Sequence, residues 1–331
     1  MTELPVCGMQ RLSEAQIRLR PLIVIVGPTA VGKSSIALEI AKAFETDILT
    51  ADSRQVYRGM DIGTDKPTVD QQQDVTHRLI DLVEPDQPFN TGLYRRYAVR
   101  AIEDQYCDRR LPLVVGGTGL YVRTLLKGLC DAPPADPVLR ASLRREALTH
   151  GPDHLYALLV ACDPTTAARL HPRDESKVLR ALEVHRLSGR SLSEFQLQHG
   201  FRERPFMSLM VGLDRTREVL YRRIEERIDW QLANGLADET KRLLARGYRR
   251  DLPAMKGLGY RHVSCFLAGE YDTKEMVRRF KRDTRRFAKR QMTWFRKEPG
   301  IHWIMIGESE PVTATAGRIL KQVDAFLAGL G

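Results

Sequence analysis

No stretch of this chain approaches the roughly 20 consecutive apolar residues of a membrane span, so no membrane partner is expected. The first twenty residues, Met1 to Arg20, carry Glu3, Glu14 and several arginines and glutamines but no apolar centre, and so do not read as a secretory signal. A cytoplasmic enzyme is the default expectation. Cysteine is sparse and scattered, at Cys7, Cys107, Cys130, Cys162 and Cys265, with no C-x-x-C pair to suggest zinc or thiol redox chemistry. The five thiols are expected to be reduced and buried. Internal repeats and low-complexity segments are also missing, which excludes solenoids and disordered linkers.

What remains is a globular composition with an excess of positive charge. A hydrophobic fraction of 43% over 331 residues is enough for a sizeable core in one elaborated domain or two. Lys and Arg outnumber Asp and Glu by 52 to 42, which favours a polyanionic partner. The excess is concentrated in Lys274 to Lys297, where eleven basic residues face only Glu275 and Asp283. Along that run Val277, Phe280, Thr284, Phe287, Gln291 and Trp294 recur at spacings of three and four, so one helical stripe packs inward while the remaining faces are cationic. Contact with a phosphate backbone is the expected use of the cationic faces.

The strongest motif follows the apolar run Leu22 to Val26. It is Gly27-Pro28-Thr29-Ala30-Val31-Gly32-Lys33-Ser34, the G-x-x-x-x-G-K-[ST] spacing, and it leads into the helix-forming run Ser35 to Phe44. Gly27 and Gly32 permit backbone turns closed to residues with a Cβ, so that successive N–H groups and a free helix N-terminus converge on phosphate oxygens. Lys33 adds a point charge, and the Ser34 hydroxyl is placed to ligate Mg²⁺, directly or through water. The motif specifies a phosphate cradle and leaves open whether a nucleoside triphosphate or another diphosphate lies in it.

Short strands at Leu22 to Val26, Ile48 to Ala51, Arg78 to Val83 and Leu111 to Val115 alternate with helical patterns, predicting an α/β fold: a phosphate-loop parallel sheet flanked by helices. Met207 to Leu213 and His302 to Ile306 extend the same sheet. Ligands of such sheets sit beyond the carboxyl ends of the strands, which directs attention to Asp52, Ser53, Arg54 and Gln55 after the second strand and to Gly116-Gly117-Thr118-Gly119 after the fourth. Asp52 can bind a metal, act as a base or cap a turn. At Asp131 to Pro137 regular structure breaks, and Asp136 with Pro137 starts a helix. From there to about Pro205 only helices are predicted. The expected organisation is an N-terminal extension (1–20), a core of 21–130 and 206–331 with helical C-terminal region, and an all-helical insertion at 131–205.

Taken together, the phosphate loop, Asp52-Ser-Arg-Gln-Val-Tyr-Arg-Gly-Met-Asp-Ile-Gly-Thr-Asp-Lys-Pro67, Gly116-Gly-Thr-Gly-Leu-Tyr121, His171-Pro172, Arg180-Ala-Leu-Glu-Val184, Arg223-Ile-Glu-Glu-Arg227, Lys256-Gly-Leu-Gly-Tyr-Arg261 and Ala288-Lys-Arg-Gln-Met-Thr-Trp294 resemble the tRNA dimethylallyltransferase family. The blocks keep their order and span nearly the whole chain. No zinc-finger spacing of the family's eukaryotic members is present, so the resemblance is to the bacterial type. It implies transfer of a dimethylallyl group from dimethylallyl diphosphate to N6 of the adenine 3′ of the anticodon, with Mg²⁺ as cofactor; a monomer is the default expectation, since nothing in the residues sets an oligomeric state. The phosphate loop, Gly27 to Ser34, then holds the allylic diphosphate, with Arg223 and Arg227 on the departing charge. Asp52 is implied as base, and Thr118 lies at the reaction centre. The implied contacts to the tRNA anticodon stem-loop are Asp52, Ser53, Arg54, Gln55, Arg140, Ser176, Lys177, Val178, Leu179, Arg180, Lys256, Gly257, Leu258, Gly259, Tyr260 and Arg261. These would grip it between the insertion and the C-terminal helices. Two other readings of the residues stay open, a phosphate-loop kinase of a small metabolite or nucleotide, marked by ATP consumption, and an RNA-binding nucleotide switch, marked by RNA release when nucleotide leaves. For a basic RNA-binding face, affinity for an anticodon stem-loop measured by fluorescence anisotropy should fall steeply as salt rises from about 50 to 200 mM; a flat salt response would remove phosphate contact from the account.

Overall fold

A computed structural model describes residues 11–151 and 153–330. Its contacts divide the chain into two compact units, one formed by the residues up to Leu126 and from Pro205 onward, the other by Lys127–Arg204.

The larger unit is built on a six-stranded sheet: β1 Pro21–Val26, β2 Ile48–Thr50, β3 His77–Arg78, β4 Leu113–Gly116, β5 Met207–Asp214 and β6 Ile301–Met305. The strand order is β3-β2-β4-β1-β5-β6, and every pairing is parallel. β1 lies between β4 and β5, with Val24 opposite Val114 on one side and Met210 on the other. All six of its residues are buried, as a strand covered on both faces by crossover helices requires, and this is why its sequence is an unbroken apolar run. Because the strands share one direction, the turns after β1, β2, β4 and β5 emerge at the same edge of the sheet.

The expected strand Arg78 to Val83 shrinks to His77–Arg78. Leu79 and Asp81 take left-handed backbone angles, φ 68° and 52°, and the chain turns to pair with the loop after β2. There the Asp81 N–H donates to the Gln55 carbonyl and the Leu82 N–H to the Val56 carbonyl. The expected start of β4 at Leu111 moves to Leu113, since Pro112 has no N–H to give to a ladder. Within residues 1–20, the part from Met1 to Gln10, with Cys7, lies outside the described residues. Beyond it, Leu12 is buried and the helix Glu14–Leu19 starts from a capping box at Ser13 and Gln16, so this stretch belongs to the core. The cysteine expectation is corrected too: Cys107 is exposed, and Cys130, Cys162 and Cys265 are half-buried. No helix among the described residues is long and apolar enough to cross a membrane.

The smaller unit is all helical, with Pro137–His150, His154–Cys162, Pro164–Ala167, Glu175–Ser188 and Leu192–His199. Asp136 caps the first of these by accepting from the Val138 and Leu139 N–H groups, with Pro137 in the first turn. Its core gathers Leu143, Leu155, Leu159, Val178, Leu179 and Leu182. Glu183, fully buried, accepts from Arg140 at 2.8 and 2.9 Å, from Arg180 at 2.7 Å and from the Asp136 N–H at 2.7 Å. A carboxylate so surrounded is held below its ordinary pKa, desolvation by burial being outweighed by these donors.

In the larger unit a second buried carboxylate shapes the loop after β2. Glu239, 4% exposed on the helix Leu236–Ala245, accepts from the backbone N–H groups of Asp61, Ile62 and Gly63 at 3.1, 3.0 and 3.1 Å and from the Tyr260 hydroxyl at 2.6 Å. It pins the 3₁₀ turn Ile62–Thr64, whose next residue is Asp65. Replacing Glu239 by Ala strands those donors, and the unfolding free energy measured by urea denaturation should fall by about 3 kcal/mol.

Candidate active site

The turn after β1 carries the phosphate loop. Gly27 has φ +152°, and a Cβ there would lie 2.7 Å from the Leu213 carbonyl oxygen. Gly32, φ +112°, is the left-handed residue from which the helix Lys33–Phe44 starts. As the first residues of a helix, Lys33, Ser34 and Ser35 have N–H groups without an intrahelical acceptor, and these point to the place where an anion binds. Val31 serves the core, being fully buried, and contributes only its backbone. Two arginines brace the loop from outside. Arg215 donates to the Val31 carbonyl and Arg223 to the Ala30 carbonyl, each at 2.9 Å.

A cavity of about 280 Å³ opens on this loop, lined by Thr29, Ala30, Gly32, Lys33, Ser34, Asp52, Asp65, Gly116, Gly117, Arg223 and Arg227 among others. Arg227 forms an ion pair with Asp65 at 3.1 Å, while its Nε is buried with no hydrogen-bond partner. The Lys33 ammonium turns back to donate to the Pro28 carbonyl at 2.7 Å. Burial pulls its pKa down from 10.5 to about 8, opposed by the charges of Asp52 and Asp65 and assisted by that of Arg227. An undersatisfied arginine, a desolvated lysine and open helix N–H groups in one cup are the donor set of a site for a polyanion.

A second cavity, of about 320 Å³, shares Thr29, Asp52, Thr64, Asp65 and Arg227 with the first and continues along Ser53, Arg54, Thr118, Lys256, Gly257, Leu258, Gly259, Arg261, Phe280, Thr284, Phe287 and Arg290. Asp52 therefore stands where the two spaces meet. Its Oδ1 accepts from the Arg54 N–H at 2.8 Å, an Asx turn that leaves its other oxygen available. The Thr118 hydroxyl accepts from the Ser53 N–H at 3.0 Å, and the Thr118 N–H donates to the Ala51 carbonyl at 3.1 Å, so the two turns are stitched together. The Arg54 guanidinium donates to the Pro253 carbonyl at 2.6 Å, fastening the segment before Lys256 to the same place. Gln55 donates to the Thr64 and Asp65 carbonyls and lines the first cavity.

Several expected contacts fall elsewhere. Tyr260 is wholly buried against Glu239, and Val178 and Leu179 are core residues of the helical unit, so these three side chains are turned into the fold. Considered by itself, the helical unit places Arg140, Ser176, Lys177 and Arg180 around a cavity of about 460 Å³, together with Arg169 and Gln196. The basic helix Thr273–Phe295 is less bare than its sequence suggests. Lys281 pairs with Asp229, Arg285 with Glu225, and both Arg278 and Arg279 with Glu275. Among the described residues Lys289 and Arg290 have no carboxylate partner. Phe287, placed in the inward stripe, is 38% exposed and faces the second cavity, with the Arg290 guanidinium 5.7 Å from its ring.

The sequence reading missed Asp65, Arg215, Glu239 and Gln291. Arg215 directly follows β5, so the carboxyl-end rule that selected Asp52 also reaches it. Gln291 is the one amide in the inward stripe, a polar residue in an apolar place. Asp65 and Glu239 give no local signal, because their partners are distant in sequence.

The IPP transferase family pattern matches residues 55–298, and the isopentenyl transferase pattern matches residues 20–87. The tRNA dimethylallyltransferase 2 of Geotalea daltonii is 48% identical over 292 residues, covering 88% of this chain and 89% of that protein. The tRNA dimethylallyltransferase 1 of Trichlorobacter lovleyi is 47% identical over 296 residues, covering 89% and 97%. Among solved structures, the full-length tRNA isopentenylpyrophosphate transferase of Bacillus halodurans is 35% identical with a TM-score of 0.71, covering 94% of this chain and 98% of that one. A eukaryotic dimethylallyltransferase crystallised while acting on tRNA is 26% identical with a TM-score of 0.81, covering 94% and 80%.

The lowered pKa of Lys33 has a measurable sign. Below about pH 8 the free protein already carries the charged ammonium, and above it the neutral amine predominates. A polyanion placed in the cup would restore the charged form, so its binding at about pH 8.5 to 9 should take up a fraction of a proton. Titration calorimetry in buffers of different ionisation enthalpy should register that uptake, and it should be lost in Lys33→Ala.

Proposed function

This chain belongs to the tRNA dimethylallyltransferase family, and on that premise we propose that it moves the dimethylallyl group of dimethylallyl diphosphate onto N6 of the adenine 3′ of the anticodon in tRNA, releasing diphosphate. The observation that carries this reading is the pair of cavities joined at Asp52, one walled by the phosphate loop and the other by the basic C-terminal helices. Substrates held in the two cavities would then meet beside Asp52, which lines both and, unlike Asp65, is not paired with Arg227. A kinase needs its acceptor beside the same phosphates, and the second cavity, with Arg54, Lys256, Arg261 and Arg290 at its walls, suits a polyanionic acceptor.

The exocyclic amine of adenine is a weak nucleophile because its lone pair is delocalised into the ring. As N6 attacks the first carbon of the allyl group, the carbon–oxygen bond to diphosphate breaks and the amine becomes cationic. The proton then passes to Asp52, which waits at the junction as general base. On the opposite side negative charge grows on the departing diphosphate, where the loop N–H groups, Arg227, Arg223 and Lys33, once its ammonium swings off the Pro28 carbonyl, receive it. Thr118, tied to Ser53 and Ala51, holds the base side of the junction. The adenine reaches this point only by leaving the loop stack, and an open aromatic face such as Phe287 in the second cavity can receive a displaced base.

Mg²⁺ is the proposed metal. Among the described residues no group of three or more His, Cys, Asp or Glu side chains forms an all-protein cage. The Ser34 hydroxyl and the Asp52 carboxylate on the first cavity fit an ion that takes few protein ligands and keeps waters and phosphate oxygens. When bound, it neutralises charge on the diphosphate. Ser53, Arg54, Gln55, Lys256, Gly257, Leu258, Gly259 and Arg261 in the larger unit, and Arg140, Ser176, Lys177 and Arg180 in the smaller, are proposed to contact the tRNA. The protein is proposed to act as a monomer in the cytoplasm.

Incubated with dimethylallyl diphosphate, Mg²⁺ and an adenine-bearing anticodon stem-loop, the protein should add one prenyl group per RNA by mass spectrometry, with no product when ATP replaces the diphosphate. Asp52→Ala should lower turnover by about 10²- to 10⁴-fold while RNA affinity holds; undiminished turnover would take the base role away from Asp52.

A further inference from the structure

The helix Thr273–Phe295 presents one amide to the interior beside the active site, and nothing in the reaction as described uses it. Gln291 is 8% exposed. Its Oε1 accepts from the Thr29 N–H of the phosphate loop at 2.9 Å, and its Nε2 donates to the Gly117 carbonyl at 2.9 Å. The orientation of the amide is dictated by chemistry: a backbone N–H can only donate and a backbone carbonyl can only accept. We infer that Gln291 is a positioning residue for prenyl transfer, whose amide locks the phosphate loop to the glycine turn after β4 and so sets the distance between the leaving-group cup and the base.

Both ends of this bridge are at the reaction junction. Thr29 lines both cavities, and Gly117 lines the cavity that holds the phosphate loop. The residue after Gly117 is Thr118, whose own bonds to Ala51 and Ser53 bracket Asp52. A continuous chain of hydrogen bonds therefore runs from the phosphate loop through Gln291 and the glycine turn to the loop that carries the base. Gly117 is shaped to this contact, since a Cβ on it would lie 2.3 Å from the Gln291 Nε2. Thr29's N–H is also withdrawn from phosphate binding. Pro28 has no N–H, and that of Val31 turns to the Pro28 carbonyl at 3.4 Å. The loop N–H groups left for an anion are then those of Ala30, Gly32, Lys33 and Ser34.

Only an amide offers one donor and one acceptor at this length. Ionised Glu in its place keeps the acceptor for Thr29 but sets a second acceptor against the Gly117 carbonyl. Met fills the space and satisfies neither group. This inference rests on the reading that the loop holds dimethylallyl diphosphate, and Lys33→Ala serves to test that reading separately.

The experiment compares wild type, Gln291→Glu, Gln291→Met and Lys33→Ala in steady-state prenyl transfer, in RNA affinity by anisotropy and in thermal midpoint. Gln291→Glu should lower kcat/KM for dimethylallyl diphosphate by about tenfold to a hundredfold, leave RNA affinity within about twofold, and lower the thermal midpoint by only a few degrees, as the loss of one buried hydrogen bond requires. Should Gln291→Glu fail to fold, Gln291→Met is expected to show the same separation. Unchanged kcat/KM in a folded Gln291 variant would overturn the inference, as would a parallel loss of RNA affinity and diphosphate efficiency, which would mark Gln291 as a packing residue. If Lys33→Ala keeps the wild-type kcat/KM for dimethylallyl diphosphate, the phosphate-loop reading fails, and the role of Gln291 falls with it.

Discussion

Parallel pairing of β1 with β4 on one side and β5 on the other is the constraint from which the active site follows. Parallel strands need long crossovers, which cover both faces with helices and send every strand's carboxyl end to one edge. At that edge the phosphate loop, the Asp52 loop, the glycine turn and Arg215 come together from positions almost two hundred residues apart. The close approach is tight enough that a Cβ on Gly116 would lie 2.1 Å from the Ala51 carbonyl oxygen. Three loops held this closely leave their side chains little freedom.

On this frame charge is arranged so that an anion completes it. Lys33, Arg223 and Arg227 line one cup, partly offset by Asp52 and Asp65. Arg227 retains a buried unpaired Nε, and burial lowers the pKa of Lys33 to about 8. Such groups are costly while unpartnered, and a polyanion in the cup would relieve them together. Glu239 acts one step further out. It holds the turn that presents Asp65, and Asp65 in turn sets the position of Arg227.

Much of the fold and site was legible in the residues because the relevant signals were local. The phosphate loop is a contiguous motif, and its glycines meet the backbone demands that the motif implies. The central strands were readable as apolar runs, since burial on both faces removes alternation. The edge of the sheet read less well: residues 79 to 83 pair with a loop instead of a strand, and a turn of that kind has no periodic signature. Tyr260, Val178 and Leu179 sit inside blocks that resemble RNA-contacting motifs, yet a block mixes residues that hold a helix in place with residues that meet the ligand. The cationic run had the same limitation, because carboxylates from the helix Arg217–Ala233 neutralise part of it.

The sequence by itself determined the phosphate cradle, the alternating α/β order, the all-helical stretch after Asp131 and the family resemblance, since each is written in contiguous residues whose physics is local. Tertiary structure alone decided which charges stay free, that two cavities meet at Asp52, and that Gln291 and Glu239 bridge backbone segments far apart in the chain. Hydrogen bonds and ion pairs between distant segments depend on where the sheet delivers each loop, and no single stretch of residues records its partner's position.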